Sequence, residues 1–293
     1  MAGTALHRVF TLRKPGRPDF SPTRFSWGLP AILVLLVFLV LPLADNALRS
    51  FREESAATDA LFYYVKILGD PYYRGVLINT LWLSFSVTTL CLVISYPVAV
   101  FLVRHAGTWQ PVIIFCLIAP LLTSIIMRTL GIRLLLAHQG AISAMLNDWF
   151  GLPSLPSWMS SGIFPVYLGM VHVLNPFMVL SIAPVVERIE PSLEESACIL
   201  GANSWRTFWH VTLPLSREGI YTGCILVFML SNGSFVTQLL LGGGKITTLP
   251  VLIFQQFSVT MDTAFAGAMG NVLLVLTLIC LLVQSMMTRR RGS

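Results

Sequence analysis

The chain has 293 residues, of which 55% are hydrophobic and 11% charged, and its formal net charge is +6. A soluble domain carries about 25% charged residues, and a soluble chain of this length has no means of hiding so much apolar surface. An ordinary soluble enzyme, a disordered protein and a disulfide scaffold are excluded, which leaves an all-α membrane protein with several spans.

Residues 1–26 are polar and basic (KPGRPDFSPTR) and read as a loose arm. A bilayer-spanning helix needs about 20 mostly apolar residues. Six such stretches follow, at 27–44, 76–103, 111–136, 163–186, 218–241 and 264–287. They are continuously apolar rather than alternating, so they are helices and not barrel strands. The first begins late and lacks a small-x-small exit, so it reads as a permanent anchor rather than a cleaved signal. Six spans put both termini on one side. With that side cytoplasmic, the arm, the loops after spans 2 and 4 and the tail hold twelve of the nineteen basic residues and six of the thirteen acidic ones. The whole net charge then faces inward, as the positive-inside rule asks. The basic balance therefore reports orientation and implies no nucleic acid.

The outer segment 45–75 carries Phe62, Tyr63, Tyr64, Tyr72 and Tyr73, which suits a helix at the membrane interface or a docking surface for an external partner. Arg128 and Arg133, near the outer end of span 3, read as snorkelling cations or as contacts to an anionic solute. In the outer loop 138–162, Ile142, Met145, Leu146 and Trp149 recur at i, i+3, i+4, i+7, the apolar face of a short amphipathic helix. Asn175-Pro176 lies mid-span and predicts a kink, and His172 is expected to pack against a neighbouring helix. Ser231, Asn232, Gly233 and Ser234 form a small polar cluster within span 5. Asn175, Asn232 and Ser234 are the residues expected to line a solute pathway, although small polar residues also serve as helix-packing contacts.

Apart from Glu218 at the inner edge of the fifth, no Asp or Glu lies within the six spans, which argues against an ion-coupled carrier, since such a protein wants a carboxylate at membrane depth. Gly242-Gly243-Gly244-Lys245 lacks the glycine and the Ser/Thr of a phosphate loop and reads as an outer turn. The five histidines have no metal-ligand spacing. Four cysteines lie within spans and Cys198 in an inner loop, so no structural disulfide is implied.

The loop 187–215 is the most informative segment. Pro191 stops the preceding helix, and Ser192 with Glu195 reads as a capping box. A helix over 193–200 follows, ended by Gly201. Asn203 or Ser204 caps a second turn that carries Trp205, Phe208 and Trp209 on one face, and Pro214 closes the unit. Aromatic anchors in a polar rim resemble a protein-binding hot spot.

The stretch ESACILGANSWRTFWHVTLP resembles the EAA loop of bacterial ABC-importer permeases. Glu195-Ser196-Ala197, then three residues, Gly201, nine residues, and Val211-Thr212-Leu213-Pro214 match its spacing throughout. Ser196 stands for the pattern's Ala and Val211 for its aliphatic Ile. The likeness covers 76–287, and NGSFVTQLLLGGGKITTLP is similar to the first permease subunit of the spermidine/putrescine-type subgroup. The resemblance implies a type I importer (MetI-like) permease fold with six transmembrane helices. The regions are then the arm 1–26, the first span and outer loop 27–75, the permease core 76–287 and the tail 288–293. It implies that Glu195, Ala197 and Gly201 form the coupling element, with Glu194, Leu200, Trp205, Phe208, Leu213 and Pro214 on the same surface. The implied partners are an ATP-binding subunit dimer, a second permease subunit as heterodimer partner, a periplasmic substrate-binding protein and the lipid membrane. This chain would be no enzyme and hold no cofactor, ATP being used by the partner. The implied solutes are of the polyamine, opine or amino-acid-like class. Ser234 and Leu239 stand where some polyamine permeases carry an acid.

Overall fold

The computed structural model describes residues 22–50, 61–151 and 155–289. Most of the basic arm, residues 51–60 of the outer segment and the tail from 290 onward lie outside the described residues. The described residues form helices and no strand. They divide into two units, Met1–Arg49 and Ser50–Ser293.

In the first unit, helix α1 spans Pro22–Ser50 and is apolar enough to cross a membrane from Ile32 onward. Leu33, Val34, Leu35 and Leu36, consecutive residues that together circle the helix, are all exposed. A helix apolar all round is what lipid solvates.

In the second unit, α2 (Phe62–Gly69) leads into α3 (Pro71–Arg104), the longest helix. Asp70 caps α3, its carboxylate accepting the Tyr72 N–H at 2.8 Å, and Pro71 takes the first-turn position that lacks nothing by having no N–H. A short turn, Gly107–Trp109, joins α3 to α4 (Gln110–Leu122), and α5 (Ile125–Leu135) follows. Next come α6 (Ala141–Phe150), α7 (Ser157–Ser160), α8 (Ile163–Glu187) and α9 (Pro191–Ile199). A helical run then passes through α10 (Ser204–Thr207), a π segment (Phe208–Thr212) and α11 (Leu213–Leu215). The rest is α12 (Arg217–Asn232), α13 (Val236–Gly242), α14 (Leu249–Gln255) with a π turn to Thr260, and α15 (Thr263–Arg289).

Four described helices are long and apolar enough to cross a membrane, or up to six if each bent pair counts as one span. The expected span 111–136 is thus not one straight helix: α4 and α5 meet at 99°. Pro120 weakens the end of α4, and Thr123 adopts an extended backbone. The carbonyl of Pro120 is taken up by the Thr123 hydroxyl, at 2.8 Å, and by the Arg128 guanidinium. Arg128 is therefore turned back to a helix end rather than snorkelling outward.

The expected span 218–241 is likewise broken. α12 stops at Asn232 and α13 starts at Val236, because Ser-Asn-Gly-Ser is poor helix material. By contrast α8 runs unbroken through Pro176. The Ser95 hydroxyl bonds both the Asn175 carbonyl and its side-chain oxygen, so a neighbouring helix supports the backbone there.

Helices α3, α8 and α12 pack on one another to form the core, with Val87 and Cys91 of α3, Met178 and Ile182 of α8 and Val227 of α12 fully buried. Gly219 and Gly223 let α12 approach α8. A Cβ on Gly219 would lie 3.0 Å from the Ser181 carbonyl and from Val185, and one on Gly223 2.6 Å from the Met178 sulfur. Gly219→Leu should therefore destabilise the fold by about 1–3 kcal/mol, read as a lower melting temperature in detergent. An unchanged melting temperature would show that the two helices part freely there.

A second cluster joins Ile67 of α2, Leu249 and Leu252 of α14 and Met269 of α15. Tyr63 and Tyr73 lay their rings on Phe265, at 5.4 and 5.3 Å, and Lys66 sits 4.7 Å above the same ring. These aromatics are spent on internal packing, while Phe62 and Tyr72 stay exposed. Helix α6 forms as expected, with Ile142 and Leu146 half-buried, but Met145 is exposed, and the Trp149 side chain lies outside the described residues.

Candidate functional site

Two places concentrate functional side chains: the loop between α8 and α12, and a cavity where helices break.

The loop begins with Glu190 in an extended backbone, since the residue before a proline avoids the helical region. Pro191 is then the first residue of α9 and not its barrier. The expected capping box is not formed. Ser192 already lies in the first turn, and its hydroxyl turns back to Glu190 at 3.3 Å. The far end of α9 behaves as expected. Gly201 has φ +87, its N–H bonds the Cys198 carbonyl, and Ala202 N–H reaches back to the Ala197 carbonyl, both at 3.0 Å. That paired pattern with a glycine in the left-handed region is a Schellman turn. Asn203 caps the next turn, accepting the Arg206 N–H at 2.9 Å. Pro214 does not close the unit. It sits at the start of α11, where a missing N–H is tolerated, and the chain bends instead at Ser216, by 66°.

The expected residues fall into two groups. Leu200 and Trp205 are 88% and 68% exposed, beside Ile199, which the sequence reading did not single out and which is 85% exposed. Trp205 stacks on Phe208 at 5.9 Å, and Trp209 meets both rings edge-on. Glu195 is exposed with no ion-pair partner among the described residues, and Ala197 is half-buried. These make an outward surface. Glu194 and Leu213 turn toward the protein instead, Leu213 packing on the core, and Pro214 is half-buried. The Glu194 carboxylate pairs with Arg104 at 3.1 Å and accepts the Thr212 hydroxyl at 3.1 Å. Phe208 faces both ways, since its ring also packs edge-on against Tyr96 at 5.5 Å.

The cavity, of about 350 Å³, lies between the α4–α5 break, the middle of α8 and the α12–α13 break. Thr123, Arg128, Phe177, Ser234 and Thr237 line it, among apolar neighbours. Of the three expected pathway residues, only Ser234 is there. Asn232 is 1% exposed and clamps helices together, donating to Thr277 at 2.8 Å and accepting from Ser84 at 3.4 Å. The Asn175 amide oxygen is held by Ser95. Thr123 and Thr237 are polar lining residues missing from the sequence reading. Thr237 lies in the first turn of α13, three residues after Ser234 in the break. Its hydroxyl is buried without a hydrogen-bond partner among the described residues, as is the Arg128 Nε. A polar group in that state wants an acceptor or a water.

A larger apolar recess, of about 860 Å³, lies beside α3 and α8 and is lined by Tyr167, His172 and Lys245 among others. His172 is exposed there rather than packed against a helix. Lys245 bonds the Ser161 hydroxyl at 3.0 Å, so it closes the glycine turn at 242–244. Among the described residues no His/Cys/Asp/Glu group has the makings of a metal site.

A family model described as "Binding-protein-dependent transport system inner membrane component" matches residues 106–293. The chain is 32% identical over 259 residues to the spermidine/putrescine transport system permease protein PotB of Haemophilus influenzae, covering 88% of this chain and 89% of that one. It is 32% identical over 254 residues to PotB of Escherichia coli, covering 86% and 92%. In three dimensions it matches a chain of a bacterial alginate ABC transporter, solved in complex with an alginate pentasaccharide-bound periplasmic protein. The TM-score is 0.74 at 18% identity, over 92% of this chain and 94% of that one.

Proposed function

The chain belongs to the family of inner-membrane components of binding-protein-dependent transport systems and is a multi-pass ABC-importer permease, and from that premise we propose that it carries a small organic solute of the polyamine, opine or amino-acid-like class by ATP-driven alternating access. The observation that carries the reading is the outward loop surface of Ile199, Leu200 and Trp205, mounted on the Gly201 turn. Large apolar side chains such as Ile199 and Leu200, on a polar loop outside the candidate spans, have no lipid to cover them and call for a protein partner. That partner is a dimer of ATP-binding subunits, which hydrolyses the ATP, so this chain is not itself an enzyme. A second permease subunit completes the bundle, a periplasmic binding protein delivers the solute, and both termini face the cytoplasm. ATP closes the two partner subunits, each pushes on a permease loop, and the bundles switch between inward-open and outward-open states.

The cavity at the helix breaks is the proposed passage, with Ser234 and Thr237 as its hydrogen-bonding groups. The relatives' names point to polyamines. Arg128 is the one charged side chain among the lining residues, with no carboxylate beside it, and this favours a solute that carries an acceptor group.

Reconstitution with the ATP-binding subunits and the binding protein tests the reading. Uptake of labelled spermidine, putrescine, octopine and glutamate is measured with and without ATP. At least one probe should enter only with ATP, and Glu195→Arg should cut that uptake by about tenfold or more. ATP-independent uptake, or full uptake by the Glu195→Arg importer, would sink the proposal.

A further inference from the structure

We infer that Arg104 is the positioning residue that locks the coupling loop onto α3, so that loop and helix move as one body when the importer cycles. The inference rests on the coupling reading above and goes beyond it by naming the path into the membrane.

Arg104 is the last residue of α3. Its Nη2 donates to the Glu194 carboxylate at 3.1 Å and to the Ile189 carbonyl at 2.9 Å. The same Glu194 oxygen accepts the Thr212 hydroxyl at 3.1 Å. One guanidinium thereby ties the turn after α8, helix α9 and the π segment to the end of α3. The Arg104 and Glu194 side chains are only 15% and 24% exposed, so solvent and salt screen the pair less than a surface pair.

A second tie lies about 12 Å further along the same helix, at 1.5 Å per residue. Tyr96 hydrogen-bonds Ser216 at 2.8 Å, and its ring packs on Phe208. One attachment would be a hinge, whereas two on one rod prevent pivoting. Beyond them α3 holds the core and the outer half. Ser95 bonds Asn175, Ser84 bonds Asn232, and Thr80 accepts the Leu249 N–H at 2.8 Å. A push on α9 therefore arrives, through Arg104 and α3, at the helices around the cavity.

The test uses the importer purified with its ATP-binding subunits in nanodiscs. The exposed Cys116 and Cys198 are changed to Ser, and nitroxides are placed at Ser192→Cys on α9 and Phe101→Cys on α3, both exposed sites. Between the nucleotide-free and vanadate-trapped states the distance should hold to within about 2 Å, the size of an ordinary interface shift. With Arg104→Glu the distance should depend on the trapped state, and uptake per ATP hydrolysed should fall about tenfold. Arg104→Glu combined with Glu194→Arg should restore both. A state-dependent distance in the parent, loss of subunit binding rather than of coupling in Arg104→Glu, or a double variant no better than the single one would overturn the inference. Failure of the ATP-binding subunits to copurify with the parent would instead overturn the functional reading on which it rests.

Discussion

Gly201→Pro is expected to abolish coupled uptake while leaving the membrane-spanning helices assembled. Gly201 sits at φ +87, and proline is locked near −65°, so the Schellman turn has no way to form around it. Proline also removes the N–H that bonds Cys198 and pushes Leu200 out of its near-helical backbone. Together these cost the docking-competent loop about 3 kcal/mol, or about 100-fold in its population. Nothing lies within 4 Å of a Cβ added at Gly201, so smaller changes act through the dihedral alone. Gly201→Asn should be nearly silent, because Asn tolerates the left-handed region, and Gly201→Ala should fall between, at about 1–2 kcal/mol. Uptake and ATP hydrolysis are read together. The variant should hydrolyse ATP without transport, at an unchanged melting temperature. Equal uptake in the alanine and proline variants would refute a backbone role for this glycine.

The order of these effects follows from a turn that was legible in the sequence: a helix ended by glycine, followed by an asparagine cap. Local signals of that kind are written within four or five residues. Spans 76–103, 163–186 and 264–287 were legible for a similar reason, since each is one uninterrupted apolar run and each is one helix here. The breaks at Thr123-Ser124 and at 233–235 were not, because apolar content says how much surface seeks lipid and nothing of whether the backbone stays helical. The capping box failed for a related reason. Ser192 and Glu195 have the right spacing, but Pro191 moves the helix start two residues earlier, from 193 to 191.

Long-range pairing was beyond the sequence altogether. An asparagine in an apolar span reads equally as a pathway group or a clamp. Only Thr277 on α15 and Ser84 on α3, both distant in sequence, make Asn232 a clamp. Likewise Glu194 and Glu195 are neighbours with the same chemistry, yet one carboxylate turns in to Arg104 and the other turns out. The EAA-like pattern marks the loop without saying which acid is structural and which meets a partner. The geometry divides them, and under the proposed function the division separates two kinds of variant: changes at Glu194 should act on transmission, and changes at the outward surface on docking.

Docking should depend most on Leu200 and Trp205. Leu200 is the most exposed large apolar residue of the loop, and Trp205 is held in place by Phe208 and Trp209, so little side-chain entropy is left to lose on binding. An aromatic held in this way, once buried by a partner, is worth about 2–4 kcal/mol, as interface hot spots are. Trp205→Ala and Leu200→Asp should each weaken binding of the ATP-binding subunit about 30- to 1000-fold, the aspartate also by burying an unpaired charge. Neither side chain supports the fold, so the melting temperature of the isolated permease should stay within the range of ordinary surface substitutions, about 0.5 kcal/mol. Other exposed apolar residues, such as Phe85 and Val93 of α3, lie on a spanning helix, where lipid covers them. Their replacement by alanine should leave subunit binding intact. Binding of the ATP-binding subunit to permease in nanodiscs, measured by titration, decides the matter. Unchanged affinity in both loop variants would mean that the aromatic surface covers something other than the ATP-binding subunit.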